Sequence, residues 1–372
     1  MKDGKKQAFK FTLSSVSLTL VLLGGCGVLE SAQYRPGDLK NDYENPQTGV
    51  PLVGTQLPTG PSIKIKNRDL TFDTGLTSCV GADFSEKNQW IFKPIKYSRT
   101  LQDFVGGSEI SNVSHFTEAF DLVLREIVEP TEGLVTYGKI RDGQSLSALW
   151  NRLRDALAKL ALPEMKSDSE KKTFWLNVYN FLMIDILRTN PSALVSNQRS
   201  GTFSKTRHTV AGRSVTLDQI EYGVLRLGGR KISHSFPQES VPSSIDNRLH
   251  VALVCGAKGC PKLRNFAYEA EKLDIILSEN VHMFMNDQVK HVAYDAKSQT
   301  TRISELFQWF SIDFDSFAGG KKPSDVKQYI LRGCRNDKEK LDEFFESIET
   351  FSKLSPAQRI PYDWTPNENI SI

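Results

Sequence analysis

The sequence predicts an α+β fold in which a central buried helix packs on a mostly antiparallel sheet. Two observations favour this class. Apolar residues recur at helical spacing in several segments after residue 115, and short alternating runs lie before and between them. In addition, the segment "FWLNVYNFLMIDIL" (residues 174–187) is apolar almost all the way round. This is typical of a helix that is buried on every side.

Residues 1–25 have the composition of a bacterial signal peptide. Lysines precede a short apolar run that ends at two glycines before Cys26, and the run is too short to span a membrane. The letters "LGGC" resemble a lipobox, which implies that Cys26 is the lipidated first residue of the mature chain. Gly27 stands where an aspartate favours the inner membrane, so we expect an outer-membrane anchor with the body facing the periplasm or the exterior. The alternative is an ordinary signal peptide with a chance cysteine.

The charge of the chain argues against a nucleic-acid partner. The whole sequence carries a formal charge of +3, and the predicted signal peptide accounts for all of it through Lys2, Lys5, Lys6 and Lys10 against Asp3. The mature chain is therefore formally neutral and has no basic excess to attract phosphates. The expected partners are the membrane, through the lipid on Cys26, and an envelope peptide, glycan or protein.

Three further regions follow the signal peptide. Residues 26–61 are rich in Pro, Gly, Asn and Thr without apolar periodicity, which predicts a flexible tether. Residues 62–114 contain short alternating runs such as "SIKIKN" and "QWIFKPIKY", which predict a β-rich lead-in. Residues 115–372 then form the main domain with a C-terminal extension.

Three helices are predicted at the start of the main domain, over "HFTEAFDLVLREIV", "LSALWNRLRDALAKL" after Ser145, and "SEKKTFWLNVYNFLMIDILRTNP". Asn177 and Asn180 lie three residues apart on the third helix, with Tyr179 beside them. Buried amides need hydrogen-bond partners. Two interpretations stay open: the asparagines bind nearby loop carbonyls, or the three residues orient a catalytic or ligand group.

A hairpin and a capped helix are predicted next, over "RHTVAGRSVTLDQIEYGVLR". Thr216 and Gln219 have the spacing of a capping box. Glu221 follows among apolar neighbours. Such an acid is either paired with an arginine such as Arg226 or held at a functional site.

The segment "NRLHVALVCGAKGCPKL" raises the central functional question. Its "RLHVALV" portion has the apolar density of a buried strand, on which His250 and Cys255 would face opposite sides. Gly256 and Gly259 allow the following loop to fold back and bring Cys260 toward either residue.

Three types of site are compatible with these residues. Zinc needs about four ligands, and His250, Cys255 and Cys260 supply at most three. Glu221 or His234 could supply a fourth, but the sequence gives no reason to choose one, so we expect no metal and no cofactor. A thiol enzyme would use Cys260 or Cys255 as nucleophile and His250 as base, with Glu221 or Asn180 as orienter. The favoured interpretation is a disulfide between Cys255 and Cys260, because disulfides persist in oxidising compartments. Four cysteines remain beside Cys26, which would leave Cys79 to pair with Cys334.

The C-terminal part is predicted to contain a hairpin over "KHVAYDAKSQTTRIS", an apolar segment "LFQWFSIDF" and two helices, "SDVKQYILRGC" and "DKEKLDEFFESIETF". The last stretch, "IPYDWTPNENISI", is polar except for Tyr362 and Trp364. These two aromatic residues are expected to fix the end of the chain onto the body.

Five segments in order resemble the family named domain of unknown function 547: "LVTYGKI", "FWLNVYNFL", "VTLDQIEYGVLR", "NRLHVALVCGAKGCPKL" and "IPYDWTPNE". The family often has histidine where this chain has Tyr222, so no role is carried over to that position. More loosely, a buried helix followed by a histidine strand resembles papain-like and transglutaminase-like enzymes. In those enzymes a cysteine begins the helix, whereas this helix offers only Asn177 and Asn180.

Two functions therefore stand. The first is a cell-envelope lipoprotein that binds a peptide, glycan or protein partner in a groove lined by the asparagine helix and the histidine strand. The second is a thiol-dependent hydrolase or acyltransferase that uses Cys260 or Cys255 with His250. A free, reactive thiol would separate the two.

Overall fold

The computed structural model describes residues 64–65, 68–69, 97–162, 164–227, 234–317, 322–330 and 335–369. The predicted signal peptide, the tether and the cysteines Cys26, Cys79 and Cys334 lie outside these ranges, so the lipidation and the second disulfide stay predictions. Within these ranges, no helix combines the length and the apolar character needed to cross a membrane.

Helices make up most of the regular structure. The α-helices are α1 (Leu101–Val105), α2 (Val113–Ile127), α3 (Tyr137–Arg141), α4 (Gln144–Lys159), α5 (Asp168–Thr189), α6 (Ser196–Ser204), α7 (Leu273–Asn286), α8 (Glu305–Trp309), α9 (Ser311–Phe314) and α10 (Lys338–Ser347). A π-helix spans Gln219–Leu225, and 3₁₀-helices include Asn247–Val251, Ala270–Lys272 and Pro323–Tyr329.

The strands form three small sheets among the described residues. They are β1 (Lys64–Ile65), β2 (Arg68–Asp69), β3 (His208–Val210), β4 (Arg213–Val215), β5 (Val292–Asp295), β6 (Thr300–Ser304) and β7 (Arg359–Ile360). β1 pairs with β2 and β3 with β4, both antiparallel, while β6 pairs antiparallel with β5 and parallel with β7. The α+β class is confirmed, and both predicted hairpins of the main domain are present.

The central helix α5 is confirmed. Its capping box uses Ser167 and Glu170, so the helix begins one residue before the predicted Ser169. Every side chain over residues 172–188 is buried. The elements packed most closely on it are helices, namely α3, α7, the π-helix and the 3₁₀-helix Ala270–Lys272. A helix enclosed by other helices buries all its faces, which explains its lack of a polar stripe.

Two aromatic clusters form a large part of the core. In the first, Trp150 of α4 stacks on Phe181 of α5 with ring centroids 4.6 Å apart. The second joins α7, α8, α9 and α10 and includes Phe307 and Phe314, whose ring centroids are 4.8 Å apart. Aromatic side chains bury large apolar areas, so these clusters fix the helices that carry the site.

The strand predicted over "RLHVALV" is wrong, because residues 247–251 form a 3₁₀-helix. The side chain of Asp246 accepts a hydrogen bond from the backbone N–H of Arg248 and begins this helix. The apolar side chains are buried against α7 instead of a sheet. A short apolar run reports burial, and its period alone does not distinguish a strand from a buried helix. The side-to-side alternation expected for His250 and Cys255 is therefore absent.

The β-rich lead-in over residues 62–114 is corrected at its C-terminal end. β1 and β2 lie within it, but residues 101–105 form α1, which is opened by a capping box of Thr100 and Asp103. The alternating residues before Thr100 suggested a strand, but the capping box is the stronger local signal and indicates a helix.

Candidate functional site

Cys255 and Cys260 lie at the centre of the candidate site. Their sulfurs are at disulfide distance, and their Cα atoms are 6.3 Å apart, within the usual range for a disulfide. This is the pairing that the sequence favoured. While the sulfurs are bonded, neither is available as a thiolate.

The hydroxyl of Tyr362 lies against both sulfurs. It is 3.0 Å from Cys255 Sγ and donates to Cys260 Sγ at 2.9 Å. The backbone N–H of Cys255 also donates to Cys260 Sγ at 3.0 Å. Burial of the hydroxyl, followed by the charges of Glu221 and Asp363, raises the pKa of Tyr362. The sequence indicated Tyr362 only as an anchor and missed its contact with the cysteines.

The disulfide loop (residues 255–260) is held by the C-terminal segment (residues 362–369). Backbone N–H groups of Lys258 and Gly259 donate to carbonyls at Thr365 and Asp363, at 2.7 and 2.8 Å. A Cβ atom at Gly259 would lie 2.8 Å from the backbone nitrogen of Asp363. Gly256 has φ of +75°, in the left-handed region that favours glycine. The two glycines therefore shape the turn and permit the close approach, as expected.

Asn367 fixes the C-terminal segment to the body at its other end. Its side-chain oxygen accepts a hydrogen bond from the Tyr137 hydroxyl at 2.8 Å. Its backbone carbonyl accepts from the N–H of Val135, and its backbone N–H donates to the carbonyl of Gly256, both at 2.8 Å. Tyr362 and Trp364 pack beside the second aromatic cluster. The expectation that the end of the chain is fixed onto the body is confirmed.

The two asparagines of α5 bind backbone groups of neighbouring loops. Asn180 donates to the carbonyl of Ala252 and accepts from the N–H of Val254, both at 3.0 Å. Asn177 makes the same pair of bonds with the backbone of Tyr268, at 3.0 and 2.8 Å. Each amide thus satisfies one donor and one acceptor of an irregular segment. Asn180 in particular holds the residues that lead into the disulfide loop.

Glu221 lies on the π-helix and is buried. The backbone N–H of Arg226 donates to the carbonyl of Glu221 at 2.9 Å, the five-residue bond that defines this helix type. The hydroxyl of Tyr179 donates to Glu221 Oε2 at 3.2 Å. Burial raises the pKa of Glu221 to about 7, although the charge of Arg226 opposes this shift. A carboxyl that titrates near neutrality is suited to proton transfer.

His250 pairs with Asp313 of α9. Its Nε2 lies 2.6 Å from Asp313 Oδ2, and Arg226 Nη2 lies 2.7 Å from the same oxygen. The His250 ring stacks on Phe310 at 3.9 Å, and its Nδ1 is buried without a hydrogen-bond partner among the described residues. Burial lowers the pKa of His250, and the bond to Asp313 opposes this shift. Asp313 was missed, although an acid inside the apolar run "LFQWFSIDF" is the same signal that identified Glu221.

These residues form one buried polar cluster, which we define as Tyr179, Glu221, Arg226, His250 and Asp313. Arg226 links its two ends, since its charge acts on both Glu221 and Asp313. Burial disfavours the charged form of Asp313, but Arg226 and His250 hold its pKa below the usual value. The charge of Glu221 also raises the pKa of Tyr362, the residue whose hydroxyl lies against both sulfurs. Among the described residues, His250 makes its polar contact with Asp313, and no hydrogen bond joins it to either cysteine.

A search of the described residues for three or more histidine, cysteine or acidic side chains arranged to hold a metal found none.

Residues 162–285 match the family model described as Protein of unknown function, DUF547. The match includes α5, the π-helix and the disulfide loop, and ends within α7. Neither the comparison with curated proteins nor the comparison with solved structures gave a significant match.

Proposed function

We propose that this chain is a cell-envelope lipoprotein that binds a peptide or protein partner. The family model that residues 162–285 match is described as of unknown function and names no activity. The binding surface lies beside the disulfide loop. Cys26 carries the lipid that holds the protein at the outer membrane.

The observation that carries this proposal is a group of partly exposed aromatic and cationic side chains, the aromatic surface, consisting of Arg199, Lys258, Tyr362 and Trp364. The rings of Tyr362 and Trp364 have centroids 4.7 Å apart, and the Arg199 guanidinium lies 4.1 Å above the Trp364 ring. Trp, Tyr and Arg are the residues most enriched among those that dominate binding energy at protein interfaces.

The rigidity of this surface adds support. Both aromatic rings pack against Trp309, which is buried, at centroid distances of 4.8 and 5.7 Å. The backbone that carries them is paired with the disulfide loop. A partner would meet side chains that are already ordered, so less conformational entropy is lost on binding. The amides of Asn177 and Asn180 are buried and bonded to backbone, and this favours the aromatic surface over a groove along α5.

The envelope location rests on two features. The lipobox resemblance at Cys26 is the first. The second is the cysteine pair at disulfide distance, because disulfides persist outside the reducing cytoplasm. The thiol-dependent alternative stays a prediction that requires this pair to be open.

Anchoring is tested by Cys26→Ser. We expect the variant to leave the membrane fraction, because its mature N-terminus has no acyl chain to bury. The measurement is fractionation of cells that express the variant or the wild type, with Cys79→Ser as the matched cysteine control. Membrane association of Cys26→Ser equal to that of the wild type contradicts the lipoprotein assignment.

Binding is tested by Trp364→Ala, combined with Arg199→Ala. We expect at least a tenfold loss of crosslinking between the mature protein and an envelope partner, because truncating a hot-spot residue costs roughly 2 kcal/mol or more. Tyr294→Ala, at a partly buried aromatic residue on β5, is the control and should keep the adduct. If the crosslinked adduct persists in the double variant, this surface is not the binding site. If the wild-type protein instead binds only to purified cell-wall glycan, the ligand is a glycan.

A further inference from the structure

We propose that Cys255 and Cys260 form a redox-active pair that exchanges its disulfide with a dithiol of a partner molecule. This inference does not depend on the aromatic surface or on the lipid anchor. It rests on the unequal exposure of the two cysteine residues, on the hydrogen bonds that Cys260 Sγ accepts, and on the support of the disulfide loop.

The two cysteine residues differ in exposure. Cys255 is partly exposed, whereas Cys260 is 5% exposed. Thiol–disulfide exchange begins when an external thiolate attacks a sulfur that it can reach in line with the S–S bond. The attacked atom is therefore Cys255 Sγ, and Cys260 is the leaving group.

Cys260 is the sulfur equipped to leave. The backbone N–H of Cys255 and the hydroxyl of Tyr362 both donate to Cys260 Sγ, at 3.0 and 2.9 Å. Hydrogen bonds to an anion are stronger than those to a neutral acceptor, so both contacts strengthen as charge develops on this sulfur. A leaving thiol with a lowered pKa departs faster.

The reaction balances in two steps. In the first, a partner thiolate bonds to Cys255 Sγ, the bond between Cys255 and Cys260 breaks, and its electron pair goes to Cys260 as thiolate. In the second, the other partner thiolate attacks the partner sulfur of this mixed disulfide, and Cys255 leaves as thiolate. The partner dithiol is oxidised to a disulfide, Cys255 and Cys260 are reduced, and the two partner protons end on their sulfurs. Reoxidation runs the same steps in reverse with a disulfide as co-reactant.

The fold holds the two cysteines together without the bond between them. The disulfide loop keeps its backbone hydrogen bonds to Asp363, Thr365 and Asn367. Asn180 fixes the residues before the loop. A bond that closes only a short loop removes little chain entropy from the unfolded state, so its structural benefit is small. Reduction is thus expected to leave the loop in place, ready to close again.

The first experiment follows the oxidation state of the mature protein in dithiothreitol, by alkylation and peptide mass spectrometry. We expect reduction of the Cys255 and Cys260 pair without denaturant, unchanged near-ultraviolet circular dichroism, and closure again on addition of oxidised glutathione. Reduction that occurs only in urea overturns the proposal.

The second experiment tests the direction of attack. Cys260→Ser leaves the thiol of the more exposed cysteine. With oxidised glutathione, which releases one glutathione thiolate, it should form a mixed disulfide at Cys255 at least tenfold faster than Cys255→Ser forms one at Cys260. Equal rates, or the opposite order, contradict the assigned roles. Mapping by peptide separates these sites from Cys79 and Cys334.

The third experiment tests Tyr362 as a positioning residue. Tyr362→Phe should slow reduction by dithiothreitol about tenfold, because the leaving thiolate loses one charge-assisted hydrogen bond. In the reduced protein it should also raise the thiol pKa of Cys260, measured by the pH profile of alkylation. Tyr137→Phe removes a hydroxyl that holds the same C-terminal segment without touching sulfur, and it should change neither quantity. Equal effects of both variants would assign Tyr362 a structural role and overturn the proposal.

Discussion

Glu221 is a carboxyl that the fold holds in a buried position with a single side-chain donor. Tyr179 donates to one oxygen, and Arg226 supplies charge from the end of the same π-helix. Burial still outweighs these contacts and raises the pKa to about 7. The acid is therefore neutral in the folded protein at mildly acidic pH and charged above neutrality, when ionisation works against folding.

We predict that Glu221→Gln changes the pH dependence of stability. The folded-state pKa of about 7 exceeds the ordinary value of 4.5, so the contribution of the neutral carboxyl is complete below pH 4.5 and is lost as pH rises through 7. The wild type should lose about 3 kcal/mol relative to the variant between pH 4.5 and 8. Urea unfolding of both proteins across this range measures the difference.

The control for this prediction is Glu164→Gln, at an exposed glutamate. A difference between wild type and Glu221→Gln that stays constant with pH would show that Glu221 keeps an ordinary pKa.

For single residues, the sequence identified polar side chains that stand among apolar neighbours. Glu221 and His250 were recognisable because each interrupts an apolar run, and the cysteines because of their spacing. Asp313 and Tyr362 are distant in sequence from the residues they contact, by 63 residues from His250 and 102 from Cys260. Only the tertiary fold brings these pairs together. The sequence alone could mark Asp313 as an acid inside an apolar run, but it could not assign the partner of Asp313 or of Tyr362.

Among the elements, the disulfide loop and the C-terminal segment behave as one unit. Neither has the length to be stable alone, and each supplies the backbone partners of the other. The close approach at Gly259 is what allows this pairing.

We predict that Gly259→Ala separates these two elements. The new Cβ would lie 2.8 Å from the backbone nitrogen of Asp363, and a backbone atom cannot move aside as a flexible side chain does. The expected cost is about 1–3 kcal/mol. Chemical unfolding measures the loss, and limited proteolysis should show earlier cleavage near residue 362.

Gly201→Ala is the matched control, since a Cβ at this glycine of α6 meets no atom within 4 Å. It should leave both measurements unchanged or raise the stability slightly, because alanine has the higher helix propensity. Equal proteolysis of the two variants would contradict the pairing.

The contrast between α5 and residues 247–251 shows which elements a sequence specifies. The start and end of α5 are set by local signals, a capping box at Ser167 and a proline at position 191, and the predicted start at Ser169 lies within one residue of the observed one. The conformation of residues 247–251 depends on Asp246 and on packing against α7. The apolar residues in and after this segment indicated that it is buried, but they did not determine its conformation.

Five of the six histidines share one property, which is that burial lowers their pKa. They are His208, His234, His250, His282 and His291. For His291 the pKa falls to about 4. Each ring therefore binds a proton less readily in the folded protein than in the unfolded chain. In the unfolded chain the same rings take up protons below about pH 6.5.

We predict that the free energy of unfolding falls as pH is lowered from 7 to 5. A histidine with a lowered folded-state pKa contributes stability that is present above its unfolded pKa and is lost as pH falls toward the folded value. Each fully shifted ring removes up to about 1.4 kcal/mol per pH unit in this window. Glu221 acts in the opposite direction and offsets about one ring. Urea unfolding at pH 7, 6 and 5 measures the slope.

His291→Gln provides the check on this prediction, because it removes one of the shifted rings and should make the slope shallower. A free energy of unfolding that is equal or greater at pH 5 would contradict the lowered pKa values of these histidines.

The C-terminal segment also sets the order in which the site is assembled. Residues 362–369 come after every other part of the site in the chain, yet they hold the disulfide loop and bring the Tyr362 hydroxyl to its sulfurs. Synthesis proceeds from the N-terminus, so the nascent protein carries an unfinished site until these residues have been made. The cysteines become available for oxidation more than a hundred residues before the tyrosine that adjoins them. A premature stop codon ahead of position 362 would therefore yield a protein that retains its central helix and its cysteines while lacking the group that completes their environment.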